Sequence, residues 1–330
     1  MTKIVIDKDI PFLKGLFEPY AETCYVAGSG ITPDTVRDAQ GLIVRTRTRC
    51  GRELLENSDV RMVATATIGT DHIDTAWCRS RGIEVRNAAG CNARGVLHWV
   101  AAVLVHAMTA RGMKPQQTTL GIIGVGHVGS LVHEYAVRWG FRTVCCDPPR
   151  EEREHCGFVS AQEVFRQADI VTLHVPLDDS TRHMVGAGLT GSRTPFIINA
   201  SRGEVTDTAA LLASGADFAL DVWENEPHID LRALARAEIA TPHIAGYSLQ
   251  GKANASAAVV QAAAGYFGFP LKEWYPEGIE RTVPLPITWE ELCMRMPLHY
   301  DIAAETLRLK RNPQAFEQMR NGYEYRTEFF

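Results

Sequence analysis

Residues 119–147 read TLGIIGVGHVGSLVHEYAVRWGFRTVCCD, and no other stretch limits the possible folds as strongly. Residues 120–125 form an apolar run of a length that suits a strand buried on both faces. Gly124, Gly126 and Gly129 then fall in the spacing G-x-G-x-x-G. A helical stretch over 130–139 and a second apolar strand, Arg142–Cys146, follow, and the strand runs into Asp147. Strand, glycine turn, helix, strand and acid in this order predict a unit that binds a dinucleotide. The first glycine permits a tight turn, the second lets the backbone approach a pyrophosphate, and the third lets the helix pack against its strand. The phosphates would lie at the helix N-terminus, over Gly124, Gly126, His127, Val128 and Gly129.

Asp147 lies 18 residues beyond Gly129, about where a carboxylate accepts hydrogen bonds from an adenosine ribose. It would repel a 2′-phosphate, which favours NAD over NADP. Arg150, just after Pro148 and Pro149, argues the other way, since a nearby arginine can accommodate that phosphate.

A chain of 330 residues, 45% apolar and 22% charged, is expected to form about two soluble globular domains, with room for a small third. A net charge of −5 and a pI near 6.1 give no support for a nucleic acid or an anionic membrane as partner. The N-terminal MTKIVIDKDI has neither the apolar core nor the cleavage site of a signal peptide. No stretch approaches the roughly 18 uninterrupted apolar residues of a transmembrane helix. The eight cysteines include no C-x-x-C pair, and adjacent Cys145 and Cys146 read as reduced core thiols of a cytoplasmic protein. No metal site is expected.

The first ninety residues alternate strands and helices without a glycine fingerprint. Strands are predicted over 3–7, 41–46 and 62–67, helices over 12–18 and 52–57, and a turn at Gly69-Thr70-Asp71-His72. This rhythm indicates a first α/β domain with a parallel sheet. Arg45, Arg47 and Arg49 would share one face if their strand continued that far, either as an anion site or as a solvated edge. From 92 to 111, Val96, Trp99, Val100, Val103, Leu104 and Ala107 trace one face of a long helix that bridges into the nucleotide domain. Strands over 170–175, 196–199, 218–222 and 238–240 bring the second sheet to about six. A helix over 251–267 carries the chain back.

Three stretches at predicted strand ends carry polar chemistry, at the edge where open α/β sheets bind ligands. Asn199-Ala200-Ser201-Arg202-Gly203 offers an arginine able to pair with a carboxylate. Asp221-Val222-Trp223-Glu224-Asn225-Glu226-Pro227 is crowded with acids. Thr241-Pro242-His243-Ile244-Ala245-Gly246-Tyr247 supplies a histidine, the side chain suited to acid–base work near neutral pH. Each alone reads as well as a surface ion pair or a satisfied core group. Their shared place on a dinucleotide-binding chain favours catalysis.

ATATIGTDHID, the fingerprint, NASRGEVTD, DVWENEP and TPHIAGY together resemble the D-isomer-specific 2-hydroxyacid dehydrogenase family over residues 1–268. GTDHID followed by GCNA, then CDPPR and HIAGYSLQGKA, resemble one branch of it, and FEQMRNGYEYR resembles that branch's extra C-terminal dimerisation domain. The resemblance implies that Arg202 binds substrate in catalysis, that Glu226 rather than Glu224 pairs with the catalytic histidine, and that His243 is the general acid/base. It implies NAD contacts from Asp147, Val175, Ala200, Ser201, Arg202, Asp221 and Gly246. It also implies substrate contacts from Thr46, where serine is usual, and from Thr67 and Tyr247; Arg45 and Arg47 are candidates for a substrate phosphate. The implied substrate is a phosphorylated 2-hydroxy acid. 3-Phosphoglycerate, hydroxypyruvate and a non-enzymatic NAD-sensing corepressor role are the alternatives. Residues 186–203 form a shorter loop than the family's and lack its lysine-proline-glycine lead into the strand.

The expected fold is α/β, with two doubly wound parallel-sheet domains, one Rossmann-like and one flavodoxin-like, and a small α+β C-terminal dimerisation domain. The expected divisions are 1–93 with 246–268 for substrate, 94–245 for NAD, and 269–330 for a homodimer contact, where Trp274, Tyr275 and Trp289 are possible anchors.

Overall fold

In short parallel strands, alternate residues face opposite ways, and every parallel strand needs cover on both sides. The computed structural model, which describes residues 1–155, 157–186 and 194–330, meets that need twice. Its two compact units are Met1–Asn92 with Leu249–Arg281, and Ala93–Ser248 with Thr282–Phe330.

The first unit holds strands β1 (Lys3–Asp7), β2 (Glu22–Val26), β3 (Gly41–Val44), β4 (Met62–Thr65) and β5 (Glu84–Asn87), all parallel, in the order β2-β1-β3-β4-β5. Ile4, Ile6, Ile43, Met62 and Ala64 pack on one face against Val259, Val260, Ala263 and Ala264 of the Leu249–Phe267 helix. Val5, Leu42, Val44 and Val63 pack on the other, with Val36, Leu54, Leu55 and Cys78. This is the flavodoxin-like winding.

Two sequence expectations fail here. No helix spans 12–18: Phe12 (φ 68°) and Gly15 (φ 84°) adopt left-handed backbone, which breaks a helix, while Leu13 and Phe17 are buried from irregular turns. Strand β3 stops at Val44, and Arg45 begins a turn whose carbonyl accepts the Thr48 N–H at 3.3 Å. Arg45, Arg47 and Arg49 therefore share no strand face. The unpredicted β2 and β5 are edge strands, only partly buried, with polar residues such as Glu22, Thr23, Glu84, Arg86 and Asn87 that mask the apolar signal.

The second unit holds β6 (Thr119–Ile123), β7 (Arg142–Cys146), β8 (Ile170–Leu173), β9 (Phe196–Asn199), β10 (Phe218–Leu220) and β11 (Ile239–Ala240). They form a parallel sheet in the order β11-β10-β9-β8-β6-β7, so the winding reverses between β6 and β8. Leu120, Ile122, Ile170, Ile198 and Ala219 face the Ala93–Arg111 and His127–Trp139 helices. Ile123, Val171, Leu173, Ile197 and Phe218 face Val164, Phe165, Leu211 and Leu234. The Ala93–Arg111 helix is long and apolar enough to cross a membrane, yet it is a core helix: Leu97, Trp99, Val100, Val103 and Leu104 expose no surface.

The C-terminal segment is helical rather than α+β, with helices Trp289–His299, Ile302–Arg311 and Phe316–Asn321 and no strand of its own. Its Leu292, Met296, Tyr300, Ile302 and Phe330 join the core beside Trp99 and Trp139, and its Leu309, Phe316 and Met319 join the core of the opposite sheet face. Residues 187–193 of the short loop lie outside the described residues.

Candidate active site

At the end of β6, Gly124 (φ 85°) turns the chain so tightly that a Cβ there would lie 2.5 Å from the His174 carbonyl oxygen and 2.9 Å from Val175. Gly129 lies so close under the turn that its Cβ would sit 1.9 Å from the Gly124 oxygen. Gly126 differs: a Cβ built on it would meet nothing within 4 Å. It is the N-cap of the His127–Trp139 helix, and no side chain caps that end. No side chain therefore caps the first amides of this 13-residue helix, as a helix end that receives a pyrophosphate requires. Asp147, after β7, accepts the Val125 N–H at 2.8 Å and the Arg150 N–H at 3.0 Å, which fixes its carboxylate beside the turn. The Arg150 guanidinium is held by both oxygens of Glu154 at 2.7 Å and donates to the Val125 carbonyl at 2.9 Å. A cation so paired is less able to receive a 2′-phosphate.

Beyond β9, Asn199 braces the next loop: its Oδ1 accepts the Ser201 N–H at 3.0 Å, and its Nδ2 donates to the Arg202 carbonyl at 2.9 Å. Gly203 lets this loop approach the next one, since a Cβ there would stand 2.0 Å from the Trp223 oxygen. Arg202 is partly exposed, and its Nη1 donates to the Ser201 carbonyl at 2.8 Å.

Beyond β10 and β11, the histidine and one acid meet. His243 Nδ1 lies 2.8 Å from Glu226 Oε2, and the other oxygen, Oε1, accepts the Trp223 N–H at 3.0 Å. Burial would raise the Glu226 carboxyl, but the charge and hydrogen bond of His243, the Trp223 amide and Arg320 together hold it below its usual value. His243 has left-handed backbone (φ 58°), uncommon for a side-chain-bearing residue, so its loop must be held from outside. Asp221 holds it. At 1% exposure, Asp221 accepts Thr241 Oγ1 at 2.6 Å, the Ile244 N–H at 2.8 Å and the Ala245 N–H at 2.9 Å. Glu224 points elsewhere, to His183 Nε2 at 2.7 Å and the Thr208 N–H at 2.8 Å.

Two tail arginines also reach these loops, and sequence reasoning assigned them no role. Arg326 Nη2 donates to the Ala245 carbonyl at 2.6 Å, so Ala245 is held through its N–H by Asp221 and through its carbonyl by Arg326. Arg320 Nη1 lies 3.6 Å from Glu226 Oε2, and its guanidinium hydrogen-bonds Tyr247. Both lie in FEQMRNGYEYR, where only the resemblance of the tail drew notice.

The remaining substrate candidates lie in the first unit. Arg45 is spanned by Asp7 (Nε to Oδ2, 3.1 Å) and Asp9 (Nη2 to Oδ2, 3.1 Å), so its charge is already compensated. Thr46 is exposed in the turn after β3. Thr67 Oγ1 lies 2.7 Å from Thr65 Oγ1 and donates to the Gly69 carbonyl at 3.1 Å. Among the described residues no His, Cys, Asp and Glu cluster is arranged to hold a metal.

Comparison with known proteins places this geometry in context. The family described as D-isomer specific 2-hydroxyacid dehydrogenase, NAD binding domain, matches residues 93–245. A protein of Bacteroides fragilis named erythronate-4-phosphate dehydrogenase is 42% identical, over 99% of this chain and 97% of its own. One of the same name from Porphyromonas gingivalis is 38% identical over 99% of this chain and 93% of its own. Among solved structures, D-lactate dehydrogenase of Aquifex aeolicus, complexed with NAD and lactic acid, shares the fold at a TM-score of 0.66 and 22% identity, over 84% of this chain and all of that one. The NAD+-bound 3-phosphoglycerate dehydrogenase of Entamoeba histolytica matches at 0.66 and 24%, over 85% and 99%.

Proposed function

The chain belongs to the erythronate-4-phosphate dehydrogenases, whose nucleotide domain is that of the D-isomer-specific 2-hydroxyacid dehydrogenases, and on that premise we propose how its residues work. The reaction is NAD-dependent oxidation of 4-phospho-D-erythronate to 3-hydroxy-2-oxo-4-phosphooxybutanoate, a step towards pyridoxal 5′-phosphate. The observation that carries this reading is the His243–Glu226 pair at 2.8 Å, within one unit that also holds the Arg202 loop and the open helix end at Gly126.

NAD, when bound, accepts a hydride. The uncapped amides after Gly126 suit its pyrophosphate, and Asp147 suits its adenosine ribose. With Nδ1 engaged by Glu226, the His243 Nε2 is the nitrogen left to take the substrate's hydroxyl proton. Glu226 fixes that tautomer and stabilises the imidazolium that forms. Arg202 pairs with the substrate carboxylate and polarises the developing carbonyl. Asp221 keeps the His243 loop in its left-handed turn. With Arg45 balanced by Asp7 and Asp9, a role for it in phosphate binding would require that network to open.

The working form proposed is a cytoplasmic homodimer. Met294, Leu298 and Leu307 on the tail helices are 66%, 84% and 52% exposed, apolar surface of the kind a second subunit covers.

NADH formation with 4-phosphoerythronate and with 3-phosphoglycerate, in the presence of a carbonyl trap, tests the substrate. A strong preference for the four-carbon acid is expected; preference for phosphoglycerate would keep the chemistry and change the substrate. His243→Ala should lose turnover by on the order of 10²- to 10⁴-fold while still binding NADH. Tight NADH binding by the wild type without turnover of any 2-hydroxy acid would favour a cofactor-sensing role.

A further inference from the structure

We infer that Arg320 is a positioning residue for the His243–Glu226 pair, and that through it the C-terminal segment sets the pH at which the pair works. The inference rests on the dehydrogenase reading, because it needs His243 to be the acid/base.

One carboxylate oxygen is shared. Glu226 Oε2 lies 2.8 Å from His243 Nδ1 and 3.6 Å from Arg320 Nη1. A carboxylate beside an imidazole favours its protonated form, and a cation on the same oxygen weakens that pull and repels the imidazolium. Arg320 therefore competes with the His243 ring for one carboxylate oxygen, the oxygen that steadies the proton His243 takes up during oxidation. The same guanidinium hydrogen-bonds Tyr247, four residues beyond His243, so one cation braces both the acid and the loop that carries the base.

The setting favours a held rather than a wandering side chain. The Glu226 and Arg320 side chains are 18% and 26% exposed, so solvent screens their interaction only partly. Arg320 lies on the Phe316–Asn321 helix, whose Phe316 and Met319 are buried in the core of this unit. Just beyond, Tyr323 lies against Tyr247 at 6.2 Å between ring centres. Of the other ionisable groups nearby, Asp221 feels the charge of His243 and Tyr247 meets Arg320; Tyr300, Tyr323 and Arg326 surround Asp221 in turn, and Glu224, on the same turn as Glu226, is taken by His183.

The test compares wild type with Arg320→Gln and Arg320→Lys. The His243 ring, identified by the signal missing in His243→Ala, is titrated by NMR, and the acid limb of kcat/KM is measured for oxidation. In Arg320→Gln both should move to higher pH by roughly half a unit or more. Turnover below neutral pH should fall several-fold, while NADH affinity is retained. Arg320→Lys, which restores the charge, should return most of the shift. Should glutamine lower the melting temperature, Arg320→Met, which keeps the apolar stem, gives the same reading. An unmoved His243 titration in the neutral variants overturns the inference, as does a lysine variant displaced as far as the glutamine one. The NMR arm needs no substrate. A shifted His243 in a protein that fails to oxidise 4-phosphoerythronate therefore refutes the proposed substrate and leaves this role intact.

Discussion

The two sheets of this chain are wound alike and end differently. In each, the first strand lies inside the sheet, the second lies to one side of it, and the rest follow on the other side. The reversal falls beside β1 in one and β6 in the other, the point where open α/β sheets bind ligands. At the end of β6 stand Gly124, Gly126 and Gly129, and a 13-residue helix with no side chain over its N-terminus. At the end of β1 stand Asp7, Lys8 and Asp9, with Asp7 wholly buried, and no helix begins there. Identical winding thus provides the place in both sheets, and the residues of the first turn decide what it can receive. One turn presents backbone donors to an anion, whereas the other has placed carboxylates where an anion would be repelled and has neutralised Arg45 in doing so. Fold supplies position and side chains supply chemistry.

The sharpest way to break this contrast is through the glycines. Gly129→Ala forces a methyl group to within 1.9 Å of the Gly124 backbone oxygen, which cannot swing aside as a side chain could. It should destabilise the second unit by about 3 kcal/mol or more and abolish NADH binding. Gly126→Ala meets no atom within 4 Å, so it should fold with an unchanged melting temperature. Its methyl group instead occupies the ground a pyrophosphate needs, and NADH should bind on the order of tenfold more weakly, about 1.4 kcal/mol. Equal loss of stability in the two variants would show that the turn is only a packing device.

The opposite end of the comparison is tested by Asp7→Asn. This removes the charge from a carboxylate that accepts Arg45 Nε at 3.1 Å and the Asp9 N–H at 3.0 Å. Chemical denaturation should show a loss of about 2 kcal/mol. NADH affinity should not move. A fall in NADH affinity would mean that the β1 turn serves the nucleotide after all.

What the sequence made legible follows the same division. The β6 turn could be read because its constraints are local: close approach and left-handed backbone admit glycine, and the spacing is visible within six residues. Asp147 was legible for the same reason. Edge strands β2 and β5 were not, because residues such as Glu22 and Arg86 face water and dilute the pattern. Residues 12–18 look helical until Phe12 and Gly15 turn left-handed, a choice set by burying Leu13 and Phe17. Arg202, Glu226 and His243 stood out singly, but their pairing came from resemblance, and only folding shows that Glu226 and not Glu224 reaches the histidine. Arg320 had no signal at all. It reaches Glu226 across 94 residues of chain, and nothing local to FEQMRNGYEYR points there.

A more gradual effect, spread over pH, separates the units by acidity. His98, 4% exposed, stacks on the Phe330 ring at 4.1 Å and lies 3.1 Å from the Phe330 carbonyl through Nε2. Burial drives its pKa down to about 3, from a usual value near 6.5. A group depressed on folding lends stability that is complete above its unfolded value and is lost as pH falls towards its folded one. Between those limits the unfolded chain binds a proton that the native chain refuses, so stability should fall by about 1.4 kcal/mol per pH unit from this residue alone. In the first unit His72 is shifted the same way by burial, but its ring is only partly buried and meets Thr65 Oγ1 at 3.1 Å. Acid should therefore loosen the second unit more steeply than the first. Urea unfolding from pH 7 down to pH 5 measures the slope, and His98→Gln, which cannot take up the proton, should flatten it. A slope unchanged by that substitution would place the acid sensitivity elsewhere than in the packing of the last residue against the core helix.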